Sequence, residues 1–121
     1  MHKKSPGEFP DQEKRQKLFN CSIGFTMTVI GSKWRAIILW HITKQQPVRY
    51  GKLKNSIPHI SHKIFSQELR ALETDGLVHR TAYAEIPPKV EYTLTERGRS
   101  LEKVLTELCL WGRKYMKDVL D

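Results

Sequence analysis

The chain has 121 residues, of which 39% are hydrophobic and 28% charged, and a formal net charge of +8. That length suits one domain and makes a second unexpected, and the composition is that of a globular chain rather than a disordered one. The longest apolar run, residues 36–40, falls far short of the roughly 20 residues that a membrane-spanning helix takes.

Cys21 and Cys109 lie far apart, and of the five histidines only His59 and His62 are close. These spacings match no disulfide framework or zinc pattern, so neither metal nor cofactor is expected. The start of the chain is basic but has no apolar stretch behind it, which argues against a secretory signal and for a cytoplasmic protein.

The charge is unevenly spread. Residues 21–60 hold Lys33, Arg35, Lys44, Arg49, Lys52 and Lys54 and no acid, while elsewhere the two signs nearly cancel. Such a field draws polyanions, nucleic acid first among them. Charge alone leaves a solvated face without a partner equally open.

Along the chain, residues 1–20 mix charges with prolines and a glycine and read as a mobile N-terminal arm. A single domain over residues 21–121 follows. Ile23, Met27 and Ile30, with Phe25 and Val29, predict a short helix that stops at Gly31. Ser32 can cap a second helix, to about Thr43, in which Trp34, Ile37, Ile38 and Ile42 recur at helical spacing. Leu39 and Trp40 widen that stripe, so burial on most sides is expected. Pro47 breaks the pattern, Val48-Arg49-Tyr50 suits an edge strand, and residues 51–57 read as a brief helix with Leu53 and Ile57 inward. Pro58 turns the chain. Ser61 then caps a helix that runs to Gly76, a residue suited to the left-handed position after a helix end.

That helix divides into two faces. Phe65, Leu69, Leu72 and Gly76 follow i, i+4, i+7 and i+11 and look inward, helped by Ile60 and Ile64. Lys63, Ser66, Gln67 and Arg70 form the opposite stripe, with Ser61 and His62 at its leading end. Arg and Lys donate to guanine, Gln pairs with adenine, and Ser reaches bases or phosphates. In a helix-turn-helix the N-terminal part of the second helix enters the major groove, where these donors are concentrated. These six residues are the candidate base and groove contacts. A plain amphipathic helix also has a polar face, so the stripe gains weight from what flanks it.

Residues 77–83 and 90–94 read as a β-hairpin around a proline-stiffened loop, the shape of a wing beside the reading helix. Arg80 on its first strand and Lys89, the only cation of its tip, join Arg49, Lys52 and Lys54 as candidate backbone contacts. Glu85 at the same tip opposes phosphate, so the wing is expected to position rather than to read. From Thr95 a last helix carries Leu101, Val104, Leu105, Leu108, Gly112, Tyr115, Met116 and Val119 on one stripe, more than a small core needs. The fold class expected is therefore mainly α with a small β-hairpin, a winged helix-turn-helix. No catalytic pattern has a spacing with mechanical meaning, so an enzyme is not expected. The aromatics fall on core stripes, unlike those of RNA readers that stack bases.

These segments resemble the HxlR-type branch of the winged-helix regulators related to MarR. The likeness runs from Cys21 through Val29-Ile30-Gly31-Ser32-Lys33-Trp34, Ile57-Pro58-His59-Ile60-Ser61, Gln67-Glu68-Leu69-Arg70-Ala71-Leu72-Glu73 and Pro87-Pro88-Lys89-Val90-Glu91-Tyr92-Thr93-Leu94-Thr95 to Trp111-Gly112. It implies a homodimer, joined through the first and last helices, that binds a pseudo-palindromic operator in double-stranded DNA and controls transcription. The surplus stripe of the last helix agrees, since it wants a partner. Phe25, Leu108, Trp111 and Tyr115 are candidates for that interface, with packing inside one chain open for each. Some members sense oxidants or electrophiles through a cysteine just before the first helix, the place of Cys21 here. A packing role for Cys21 stays open, as does a small-molecule signal bound in the dimer cleft without a cysteine role.

Overall fold

The computed structural model describes residues 8–120, and among them the chain forms seven helices and three strands. In chain order these are α1 (Gln12–Leu18), α2 (Ser22–Ile30), α3 (Arg35–Gln45), β1 (Val48–Arg49), α4 (Tyr50–Asn55), α5 (His62–Thr74), β2 (Val78–Tyr83), β3 (Lys89–Leu94), α6 (Glu96–Arg99) and α7 (Glu102–Leu120). The fold is mainly α with a small antiparallel sheet of order β1-β3-β2.

The stretch expected to be a mobile arm holds a helix of its own. Residues 1–7 lie outside the described residues, but residues 12–18 form α1, which buries none of its side chains. Aromatic and polar contacts hold this segment to the domain. Phe9 and Phe19 meet the ring of Phe25 edge-on at 5.3 and 5.4 Å, and Arg15 reaches Thr28 of α2 and Asp75 beyond α5. A helix held this way leaves no apolar period in the sequence.

Residues 23–30 are helical and stop before Gly31, in line with the sequence. Ser32 accepts the Arg35 N–H at 3.2 Å, a capping bond, although regular α-helix begins only at Arg35. Burial of α3 on most sides is what the structure shows, with one exposed stripe at Ile37 and Lys44. Ile38, Leu39 and Ile42 are buried, but Ile37 is exposed and Trp40 only half-buried, with the Lys44 ammonium over its ring at 4.3 Å. The neighbouring layers thus leave only that stripe of α3 open to water.

The next pieces build the helix-turn-helix. Val48 and Arg49 pair with Tyr92 and Glu91 as an edge strand, and α4 turns Leu53 into the core. The tight turn through Pro58 takes His59 to a φ of 67°, with Ile57 and Ile60 buried on either side. Ser61 Oγ accepts the Ile64 N–H at 3.1 Å and caps α5. The other end closes as a Schellman motif: the Leu77 N–H donates to Leu72 O and the Gly76 N–H to Glu73 O, with Gly76 at a φ of 77°. That left-handed residue sends the chain straight from the second helix of the motif into β2.

The core gathers Phe65, Leu69 and Leu72 of α5 with Ile38, Leu39, Ile42, Val48, Leu53, Leu77, Val78, Tyr92, Leu94 and Leu105. The last helix is not continuous from residue 95. Gly98 lets its backbone lie so close to Leu77 that a Cβ there would come 2.1 Å from the Leu77 carbonyl oxygen. A tight turn follows, in which the Leu101 N–H donates to Gly98 O and Ser100 Oγ to Arg97 O. The helix is thus interrupted for two residues before α7 begins.

Candidate nucleic-acid interface

α5 sets the face. Its buried side points Phe65, Leu69 and Leu72 into the core, so its period of 3.6 residues turns Lys63, Gln67 and Arg70 outward. All three are exposed and have no side-chain partner among the described residues. Ser61 and His62 are exposed at the leading end.

Ser66 and His62 are engaged by a residue that the sequence reading placed only in an edge strand. The Tyr50 hydroxyl lies 2.9 Å from Ser66 Oγ and 3.3 Å from His62 Nδ1, its ring stacks on His62, and it packs at 5.0 Å on Phe65. Tyr50 is the first residue of α4 and thus spans both helices of the motif. The only signal for it was a phenol just after a strand, which shows its use once α4 and α5 are packed.

Two of the acidic residues near this face are neutralised. Glu68 accepts from Arg35 Nε at 2.7 Å and Ser32 Oγ at 3.0 Å, and Asp75 pairs with Arg15 at 2.5 Å. Glu73 stays exposed on the flank of the helix. Glu73 is thus the acid left beside a stripe whose other groups are cations and neutral donors.

The candidate backbone cations surround this helix unevenly. Arg49 and Lys52 are exposed and Lys54 half-buried, on β1 and α4. Arg80 is exposed on β2 and, with Tyr50, Ser66, Arg70, Glu73 and Tyr92, lines a cleft of about 140 Å³ between α5 and the hairpin. Burial raises the Tyr92 phenol above its usual range, while its hydrogen bond with Arg80 pulls the other way. Lys89 begins β3 rather than sitting at the tip, and its ammonium lies 2.8 Å from Glu91 and over the Tyr83 ring. That bond to Glu91 raises its pKa above the ordinary lysine range. The tip itself, residues 84–88, is exposed, and Ile86 is 101% exposed.

α7 carries an apolar face without a partner among the described residues. Leu108, Trp111 and Tyr115 are exposed, Trp111 by 68%, and the last two rings touch at 5.0 Å. Phe25 differs, since its ring is half-buried between Phe9 and Phe19 of the same chain. Cys21 is exposed at the N-terminus of α2, where its Sγ accepts the Gly24 N–H at 3.4 Å. Lys33 lies over the Trp34 ring and Arg35 is bonded to Glu68. Cys109 is half-buried in α7, with Arg113 donating to its Sγ at 3.7 Å.

A helix-turn-helix whose second helix faces outward beside a β-hairpin defines a winged helix-turn-helix regulator of transcription, which is not an enzyme. Residues 29–119 match the HxlR-like helix-turn-helix family, and the chain belongs to that family. It is 45% identical over 104 residues to the HTH-type transcriptional regulator YtcD of Bacillus subtilis, covering 86% of this chain and 82% of YtcD. Among solved structures it is similar to the redox regulator HypR in its reduced form, at 40% identity and a TM-score of 0.75, covering 83% of this chain and 97% of HypR. A MarR-family regulator from Porphyromonas gingivalis is 33% identical with a TM-score of 0.74, covering 88% of this chain and 96% of that one.

Because one hydroxyl serves two side chains of the stripe, Tyr50→Phe is expected to keep the fold and cost about 0.5–1.5 kcal/mol in denaturant unfolding. Full stability in that variant would mean that water serves Ser66 and His62 equally well.

Proposed function

We propose that the chain acts in the cytoplasm as a homodimer that recognises a two-fold, pseudo-palindromic operator in double-stranded DNA, with α5 of each copy in a major groove. The observation that carries this reading is the stripe of Lys63, Gln67 and Arg70, exposed and without a partner among the described residues, on the helix whose opposite face is the core. Groups that neither pack nor pair within the chain are available to base edges. Ser61, His62 and Ser66 extend the contact, the latter two after Tyr50 has oriented them. Arg49, Lys52, Lys54 and Arg80 meet phosphates around it. Lys89 reaches phosphate only by exchanging Glu91, so the charge of the wing comes from Arg80 on its first strand rather than from its tip.

Dimerisation through α7, with Leu108, Trp111 and Tyr115 at the seam, accounts for apolar side chains that a monomer leaves in water. Phe25 takes part only through the aromatic cluster that it forms with Phe9 and Phe19. Two reading helices about 34 Å apart then meet one side of the duplex. Oxidant or electrophile sensing is assigned to Cys21, which is exposed and reachable in a chain similar to a protein described as a redox regulator. A small molecule bound in the dimer cleft, with no cysteine role, is the competing signal.

On a duplex selected from a random pool by the wild-type chain, Gln67→Ala and Arg70→Ala are each expected to lose about 1–3 kcal/mol of binding with the circular dichroism unchanged. Wild-type affinity in both would remove α5 from the reading role. Light scattering should give twice the chain mass for the wild type and one chain mass for Trp111→Glu; a monomeric wild type would end the two-fold geometry. Peroxide should change operator affinity in the wild type but leave Cys21→Ser unaffected, and an equal response in both would dismiss the thiol as the sensor.

A further inference from the structure

Arg15 lies in the segment that the sequence reading left outside the domain, yet it is one of its most heavily bonded side chains. Nε donates to Pro10 O at 2.9 Å, Nη1 to Thr28 Oγ1 at 2.9 Å and Thr28 O at 3.3 Å, and Nη2 to Asp75 Oδ1 at 2.5 Å. Its guanidinium also lies 5.2 Å from the centroid of the Phe9 ring, whose own second cation is Arg97 at 4.2 Å. The ion pair is nearly dry, with side-chain exposures of 11% for Arg15 and 4% for Asp75.

Asp75 is the C-cap of α5, at the joint between the reading helix and the wing. Arg97 Nη1 donates to its carbonyl at 2.8 Å, while carboxylate oxygen Oδ2 is buried with no hydrogen-bond partner among the described residues. One charge-assisted bond from Arg15 is thus what compensates this carboxylate, and desolvated pairs tolerate little displacement. Arg15, Gln67, Arg70 and Asp75 line one cleft of about 330 Å³, so the clamp stands beside the reading side chains. With all three of its nitrogens committed, Arg15 is not a group for touching DNA itself.

We propose that Arg15 is a positioning residue of DNA recognition: by bonding α2 and the α5–β2 joint at once, it fixes the angle at which α5 and the wing are presented to the duplex. Arg35 braces the same helix about two turns earlier, bonding Glu68 of α5 and reaching Thr28 O at 3.4 Å. Thr28 is therefore the anchor of both braces. α2, which begins at Cys21, is tied by them to the reading helix at two points. A helix held at two points along one side has a defined tilt. The assignment rests on the proposed reading of DNA by α5.

The test separates positioning from stability. Arg15→Met leaves Asp75 buried and uncompensated, so it lowers the melting temperature and operator binding together. Adding Asp75→Asn removes the stranded charge. In Arg15→Met/Asp75→Asn we expect melting to recover toward the wild type, while the ratio of operator to unrelated-duplex affinity, measured by anisotropy well below both melting points, stays about tenfold below the wild-type ratio, the loss of about one base contact. A loss of folded fraction would weaken both duplexes alike and leave that ratio unchanged, so a wild-type ratio in the double variant overturns the proposal, whatever its melting temperature. A wild-type chain that itself prefers no duplex overturns the reading of DNA by α5, and the positioning role with it.

Discussion

The structure depends on the burial of one side of α5 against α3 and the sheet. Phe65, Leu69 and Leu72 leave water there, each worth on the order of 1.5–3 kcal/mol, and no rotation of the helix keeps that gain while hiding Lys63, Gln67 or Arg70. The outward face is thus a consequence of the inward one. A helix with a period of 3.6 and a dry side must show its other side, and in this chain that side holds amide, ammonium and guanidinium groups.

Electrostatics complete what packing begins. Carboxylates close to the reading helix could oppose a polyanion, but Glu68 and Asp75 are each tied to an arginine from another element. These pairs do two things with the same bonds: they cancel negative charge beside the exposed stripe, and they join α5 to the helices behind it. Buried pairs of this kind contribute little net stability, because the cost of desolvation offsets the attraction. Their effect lies in geometry, since a charged hydrogen bond has a narrow range of favourable lengths and angles. The wing shows the opposite economy. Lys89 is spent on Glu91, and an exposed isoleucine stands at its tip.

The exposed side of α7 sets the second constraint. Leu108, Trp111 and Tyr115 line a face that lacks a partner within the described residues, whereas Leu105, one turn away, is buried in the domain. One helix is therefore built for two surfaces. A two-residue break at residues 100–101 separates it from α6, whose Gly98 lies against the Leu77 backbone at the start of the wing.

By itself the sequence determined the elements whose signals are local: the cap at Ser61, the stop before Gly31, the left-handed Gly76, the turn at Pro58, the hairpin, and the split of α5 into a dry and a wet face. Each rests on neighbours within about four residues, where backbone geometry and side-chain period act directly. The tertiary structure alone decided that residues 12–18 form a docked helix, that α3 leaves Ile37 in water, that the last helix breaks at residues 100–101, and that Phe25 packs within its own chain. It also decided the partners of the polar groups, Tyr50 with Ser66 and His62, Arg35 with Glu68, and Arg15 with Asp75. Those bonds join positions 12 to 60 residues apart, and no local period records a contact that exists only after the chain has folded back on itself.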